Sequence, residues 1–273
     1  MIAALLIAFR EGLEAALIVG IVLSYLRKAG SRGRAPVWWG VASATAVSLI
    51  TAAILQALGI ALQGPAEQLF EGATMLLAAG VLTWMIFWMR RQGRSISAEL
   101  ETDVSRAVTA ENSWPLFALA FVAVVREGIE TALFLTAAAF STTPAQTLAG
   151  GLLGLALAVL VGWLLFSASA RLDVKGFFRV TSVLLILFAA GLVGHGVHEF
   201  QEAGLLPITI EHMWDINPIL DESSTVGRML QALFGYNGNP SLLEVLSYLA
   251  YGLSVGIVVG LGRRPKGEPQ ASG

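Results

Sequence analysis

The charged side chains best placed to do chemistry lie in two copies of one short motif. "FREGLEAAL" at 9–17 recurs as "VREGIETAL" at 125–133, keeping Arg, Glu, Gly, Glu, Ala and Leu in register. A spacing of three sets Glu11 and Glu14 about 60° apart around a helix, on the face that also carries Arg10 one turn before Glu14. Arg126, Glu127 and Glu130 repeat the pattern. Carboxylates are hard oxygen ligands, and a motif with neither sulfur nor histidine points away from copper(I) and towards iron, manganese, magnesium or calcium. The chain has no cysteine, which excludes disulfides, thiolate metal sites and iron–sulfur clusters. With all six side chains ionised, four glutamates and two arginines sum to a charge of about −2, which a divalent cation would cancel and a trivalent one would take to about +1. The glycines at 12 and 128 remove bulk beside the carboxylates and are expected to let the two motif helices approach closely.

These residues have to be held in a bilayer. The 273 residues are 56% hydrophobic and 13% charged, with a mean hydropathy of +0.72, well below the charge content of about 25% usual for soluble chains. Seven stretches are apolar over the roughly 20 residues that a helix needs to cross the hydrocarbon: 2–26, 36–62, 67–89, 114–140, 145–170, 177–201 and 241–262. The first has no basic residue before its apolar run and carries Arg10, Glu11 and Glu14 inside it, so it is read as a retained span and not a signal peptide. Basic residues crowd one set of loops: Arg27, Lys28, Arg32, Arg34, Arg90, Arg91, Arg94, Arg106, Arg171, Lys175, Arg179, Arg263, Arg264 and Lys266. The opposite loops hold only Arg228. The positive-inside bias then places the amino terminus outside and the carboxyl terminus in the cytoplasm.

The expected fold is an all-α integral membrane protein with seven transmembrane helices. Each motif copy opens a set of three, and three is odd, so the first and fourth spans run in opposite directions. The two three-helix repeats therefore have inverted topology, which places equivalent residues together near the midplane. Residues 1–112 form the first repeat with a cytoplasmic linker, 113–202 the second repeat, 203–240 an outer acidic loop, and 241–273 the seventh helix and a cytoplasmic tail. A buried glutamate or arginine costs roughly 2.5–3.5 kcal/mol on insertion scales, so the six motif charges are expected to face one another or water and to act. The net charge of −2 gives no reason to expect a nucleic-acid partner, and no nucleotide-binding motif is present.

A second constellation lies at the outer end of the sixth span. In "HGVHEFQE", His195, His198, Glu199 and Glu202 fall on one helical stripe, and Glu67 and Glu71 begin the third span on the same side. Together they are expected to form a mouth that captures metal, with uptake favoured because the opposite ends carry Lys175 and Arg179. Glu244, near the outer start of the seventh span, is read as interfacial, with membership of the mouth as the alternative. Tryptophans 38, 39, 84, 88 and 114 are read as anchors at the span ends. The segment 203–240, with Glu211, His212, Asp215, Asp221 and Glu222, is read as a solvated loop, with an acidic lid as the alternative.

The paired "REGLE" and "REGIE" on the first and fourth of seven spans resemble the Arg-Glu-x-x-Glu motifs of the oxidase-dependent iron permeases, and length and helix count are most similar to the bacterial EfeU-type branch. The resemblance covers residues 1 to about 262. It implies a high-affinity iron importer of the plasma membrane (the bacterial inner membrane), not an enzyme, with no permanent cofactor and iron as the transported substrate. It also implies that Glu11, Glu14, Glu127 and Glu130 bind iron, with Arg10 and Arg126 as charge partners. Relatives of this kind work with a redox partner outside the membrane, either a multicopper oxidase or periplasmic cupredoxin-like and haem peroxidase proteins. A membrane-embedded di-iron carboxylate oxidoreductase is the competing reading; such sites ordinarily use Glu-x-x-His on two helices. Transport of another heavy metal such as lead is a further alternative.

Overall fold

The computed structural model describes residues 1–28, 34–92, 114–140, 142–167, 174–222 and 224–261. The linker and tail expected at 90–113 and 266–273 fall almost wholly outside these residues. Described residues form the helices α1 (Ile2–Lys28), α2 (Arg34–Ala61), α3 (Pro65–Gln92), α4 (Trp114–Phe140), α5 (Pro144–Ser167), α6 (Val174–Glu202), α7 (Thr225–Phe234) and α8 (Leu242–Leu261). All but α7 match the expected apolar stretches to within a few residues. Their starts are local chemistry: α3 and α5 begin on Pro65 and Pro144, where the missing N–H costs nothing.

Among the described residues four helices are long and apolar enough to cross a membrane by length and composition: Arg34–Ala61, Pro65–Met89, Pro144–Phe166 and Gly176–Glu202. α1 and α4 are as long, 27 residues each, but their apolar runs are broken by the three motif charges. The apolar part of α8, Leu242–Val258, is shorter. Only 11% of the apolar window of α2 is buried inside the fold, and Trp39, Leu49, Ile50, Ile60, Leu152, Val159 and Leu253 are each more than half exposed. Such a continuous apolar exterior belongs in lipid.

α1 packs along α5, α2 along α4, α3 along α6, and α1 crosses α4, while α8 lies against α6. Exchanging the first three helices for the second three leaves this pattern of main pairings unchanged. The correspondence extends to atoms. A Cβ on Gly150 of α5 would meet Met1 O, Ala4 Cβ and Leu5 N; one on Gly40 of α2 would meet Phe117 O, Ala120 Cβ and Phe121 N. Those two sets of α1 and α4 residues stand in the same register as the two motifs.

Two expectations are corrected. Gly12 faces Ala158 and Leu155 of α5, and Gly128 faces Ser48 of α2, so these glycines admit the flanking helix and not the other motif helix. The segment 203–240 is not a plain solvated loop. It contains α7, capped by Ser224 Oγ accepting from Gly227 N at 2.9 Å and ended by Gly235 at φ 68°. A Cβ on Gly235 would stand 2.1 Å from Gly191 Cα, so both the backbone angle and the contact with α6 require glycine there.

Candidate functional site

Where α1 crosses α4 the two motifs meet. Arg10 is fully buried, at 0% exposure; its Nη1 donates to Glu11 Oε1 at 2.6 Å, and its Nη2 stands 2.9 Å from Glu14 Oε1. On the other helix Arg126 Nε donates to Glu130 Oε1 at 2.9 Å and lies 4.0 Å from Glu127 Oε1. One carboxylate oxygen from each of Glu11, Glu14 and Glu127 lies within 4.8 Å of the others, the one such triad among the described residues. Two oxygens on an ion coordinated at about 2.1 Å stand roughly 3–4 Å apart, so small side-chain rotations would close this triad around a cation.

Buried oxygens at the crossing remain open. Among the described residues Glu11 Oε2, Glu127 Oε2 and Glu130 Oε2 have no hydrogen-bond partner, and Glu14 Oε1 has only its ion pair. Each such group costs about 1–3 kcal/mol when left unmet, so a helix crossing that keeps several of them is poised for a ligand with positive charge.

α3 cradles both arginines, which sequence reasoning missed. Nη1 and Nη2 of Arg10 donate to Met85 Sδ at 3.0 Å and Met89 Sδ at 2.7 Å, and Phe178 of α6 covers the guanidinium at 5.9 Å. Arg126 lies over Trp88 at 4.6 Å and Trp84 at 5.5 Å. Trp84 and Trp88 are thus arginine platforms as well as candidate anchors; their own spacing of four was the available signal. A cation–π contact contributes about 0.5–2 kcal/mol. Trp88→Leu is accordingly expected to destabilise the purified chain by about 0.5–2 kcal/mol, with Trp88→Phe close to wild type, as measured by its unfolding temperature in detergent.

An apolar cluster separates this centre from the far ends of the helices. Ala3 and Ile7 of α1, Met75, Ala78 and Leu82 of α3, Phe134 and Ala137 of α4, and Leu185, Phe188 and Leu192 of α6 are all buried in it. Along each helix they sit between the motif level and the end bearing the second constellation. At that end His198 Nε2 lies 3.2 Å from Glu202 Oε1, and Gln68 Nε2 donates to Glu202 Oε2 at 3.0 Å. Glu67, Glu71 and Glu202 neighbour Glu199. His195 instead has partners on both ring nitrogens, Gly191 O at 3.1 Å and Gln231 Nε2 of α7 at 3.2 Å. Glu244 is not at an interface: it is buried, at 3% exposure.

The fold and this site define a class: a multi-pass helical membrane protein built around a buried, arginine-paired carboxylate centre. The model of the iron permease FTR1 family matches residues 1–264, and the chain belongs to that family. It is 38% identical over 257 residues to the ferrous iron permease EfeU of Escherichia coli O6:K15:H31 (strain 536 / UPEC), with 90% of each chain covered. The same identity and coverage hold for the ferrous iron permease EfeU of Shigella sonnei (strain Ss046). The Yersinia pestis ferrous iron permease EfeU is 36% identical over 250 residues, covering 90% of this chain and 88% of that one. No solved structure matches the chain.

Proposed function

We propose that this chain is an iron-uptake permease that carries ferrous iron inward through the glutamates of its two motifs. The observation that carries the reading is the triad of Glu11, Glu14 and Glu127, whose buried oxygens stand within 4.8 Å of one another beside two arginines. Four glutamates and two arginines leave a charge of about −2, which a ferrous ion cancels, so the loaded centre is neutral and cheap to hold in a low-dielectric core. The printed names of the relatives, ferrous iron permeases, agree with that charge balance.

In this reading seven helices span the membrane, with the amino terminus outside, the carboxyl terminus in the cytoplasm, and the repeats inverted. The regions 1–112, 113–202, 203–240 and 241–273 serve as the first repeat, the second repeat, an outer cap and the last span with its tail. The exchange-invariant helix pairing supports inverted repeats, since a two-fold axis in the membrane plane would produce it. Iron gathers at the outer mouth of His195, His198, Glu199, Glu202, Glu67 and Glu71. It then reaches Glu11, Glu14, Glu127 and Glu130, with Arg10 and Arg126 as counter-charges. The apolar cluster between the two levels favours alternating access over an open pore, because a charged ion crosses such a layer only when the helices part. A periplasmic or extracellular redox partner, cupredoxin-like and haem peroxidase proteins or a multicopper oxidase, would set the oxidation state, and the chain keeps no resident cofactor.

The test is uptake of radioactive iron into proteoliposomes of the purified chain, ferrous against ferric. Saturable ferrous uptake above empty vesicles is expected; uptake of ferric iron alone overturns the oxidation state, and uptake of neither overturns the permease.

A further inference from the structure

Glu244, at the start of α8, has no role in the reading above. Its Oε1 accepts from Asn237 Nδ2 at 2.8 Å, while its Oε2 is buried and has no hydrogen-bond partner among the described residues. That oxygen lies 3.6 Å from His198 Nδ1, too far for a hydrogen bond. The side chain is 5% exposed, against 40% for His198 and 50% for Glu202. The carboxylate is therefore the buried end of a row whose exposed members are His198 and Glu202. Gly194 of α6 lets Glu244 lie close against that helix: a Cβ there would stand 3.4 Å from Glu244 Cγ.

We propose that His198 Nδ1 and Glu244 Oε2 form a discrete outer binding site for a first-row divalent cation. Two ligands held at about 2.1 Å by a tetrahedral ion stand roughly 3.4 Å apart, close to the observed gap of 3.6 Å. The other ring nitrogen of His198 faces Glu202 at 3.2 Å, the carboxylate–histidine arrangement that fixes the tautomer and raises the basicity of a ligating imidazole. Asn237 holds the second oxygen of Glu244, so the open one is aimed at the gap. One imidazole and one carboxylate, completed by water, suit iron, cobalt or zinc better than magnesium or calcium. With only two protein ligands the site holds its ion briefly, as a relay should. Its role as the first station for iron rests on the permease reading; its existence as a binding site does not.

The experiment is titration of Co²⁺ into the purified full-length chain carrying Glu14→Gln and Glu127→Gln, followed by isothermal calorimetry and visible absorption. With the central carboxylates neutralised, one site with an imidazole signature is expected to remain, and magnesium should not compete for it. Glu244→Gln keeps the acceptor for Asn237 and removes the open charge, so it should weaken Co²⁺ at least tenfold; His198→Asn should do the same. Absence of Co²⁺ binding in the parent, or unchanged binding in both variants while size-exclusion profiles stay native, overturns the site. Wild-type vesicles that take up no iron, together with intact Co²⁺ binding, overturn the permease reading and leave the site standing.

Discussion

Glu14→Gln and Glu127→Gln are each expected to lower iron uptake by at least ~100-fold in proteoliposomes, equivalent to about 2.7 kcal/mol of lost binding, while the chain stays folded. The prediction singles out these two because each leaves both arginines paired. Without the Glu14 charge, Arg10 keeps Glu11 at 2.6 Å; without that of Glu127, Arg126 keeps Glu130 at 2.9 Å. Neither substitution strands a buried charge, an event that costs about 3–5 kcal/mol and would confuse loss of folding with loss of binding. Each does remove the negative charge of one of the three carboxylates whose oxygens stand within 4.8 Å of one another. Glu130→Gln is a different case. It leaves Arg126 with Glu127 at 4.0 Å as its nearest acid, so the arginine is drawn onto a triad member and uptake should fall less, through a raised KM. Equal uptake by wild type, Glu14→Gln and Glu127→Gln, with native size-exclusion profiles, would show that iron does not pass through this centre.

The motif residues were legible in the sequence because charge in an apolar helix is costly and therefore conspicuous, and because the same three charges recur at one spacing. The helix bounds were legible for the same reason: Trp114–Phe140 coincides with its expected stretch. What escaped was tertiary. Nothing in the spacing of Met85 and Met89 says that two thioethers cap a guanidinium, because methionines at helical spacing read as ordinary core. Glu244 looked interfacial from its position near a span end. It is buried where the turn after α7 folds back and Asn237 reaches its carboxylate, and that return packs Gly235 against Gly191 and Gln231 against His195. Gly12 and Gly128 were visible as small residues, but the side of the helix on which a partner would lie follows only from the pairing of α1 with α5 and α4 with α2.

Those pairings make the second large effect. A Cβ on Gly154 would fall 2.4 Å from Leu5 O and 2.8 Å from Phe9 N, and one on Gly40 would fall 2.6 Å from Phe117 O. The colliding atoms are helix backbone, which cannot swing aside as a side-chain tip can, so the helices must separate. Gly154→Leu and Gly40→Leu are expected to cost about 3 kcal/mol or more, the upper end for overpacking, read as lower yield of monodisperse protein and a lower unfolding temperature in detergent. Gly252→Ala meets nothing within 4 Å and should leave stability unchanged or raise it by roughly 0.5–1 kcal/mol through helix propensity. The contrast carries over to function. α1 and α4 bring Glu11, Glu14 and Glu127 together only because α5 and α2 hold them at their crossing. Gly154→Ala, which shifts α1 without unfolding it, should therefore reduce uptake more than it reduces stability, whereas equal losses of the two would mean that these contacts serve the fold alone.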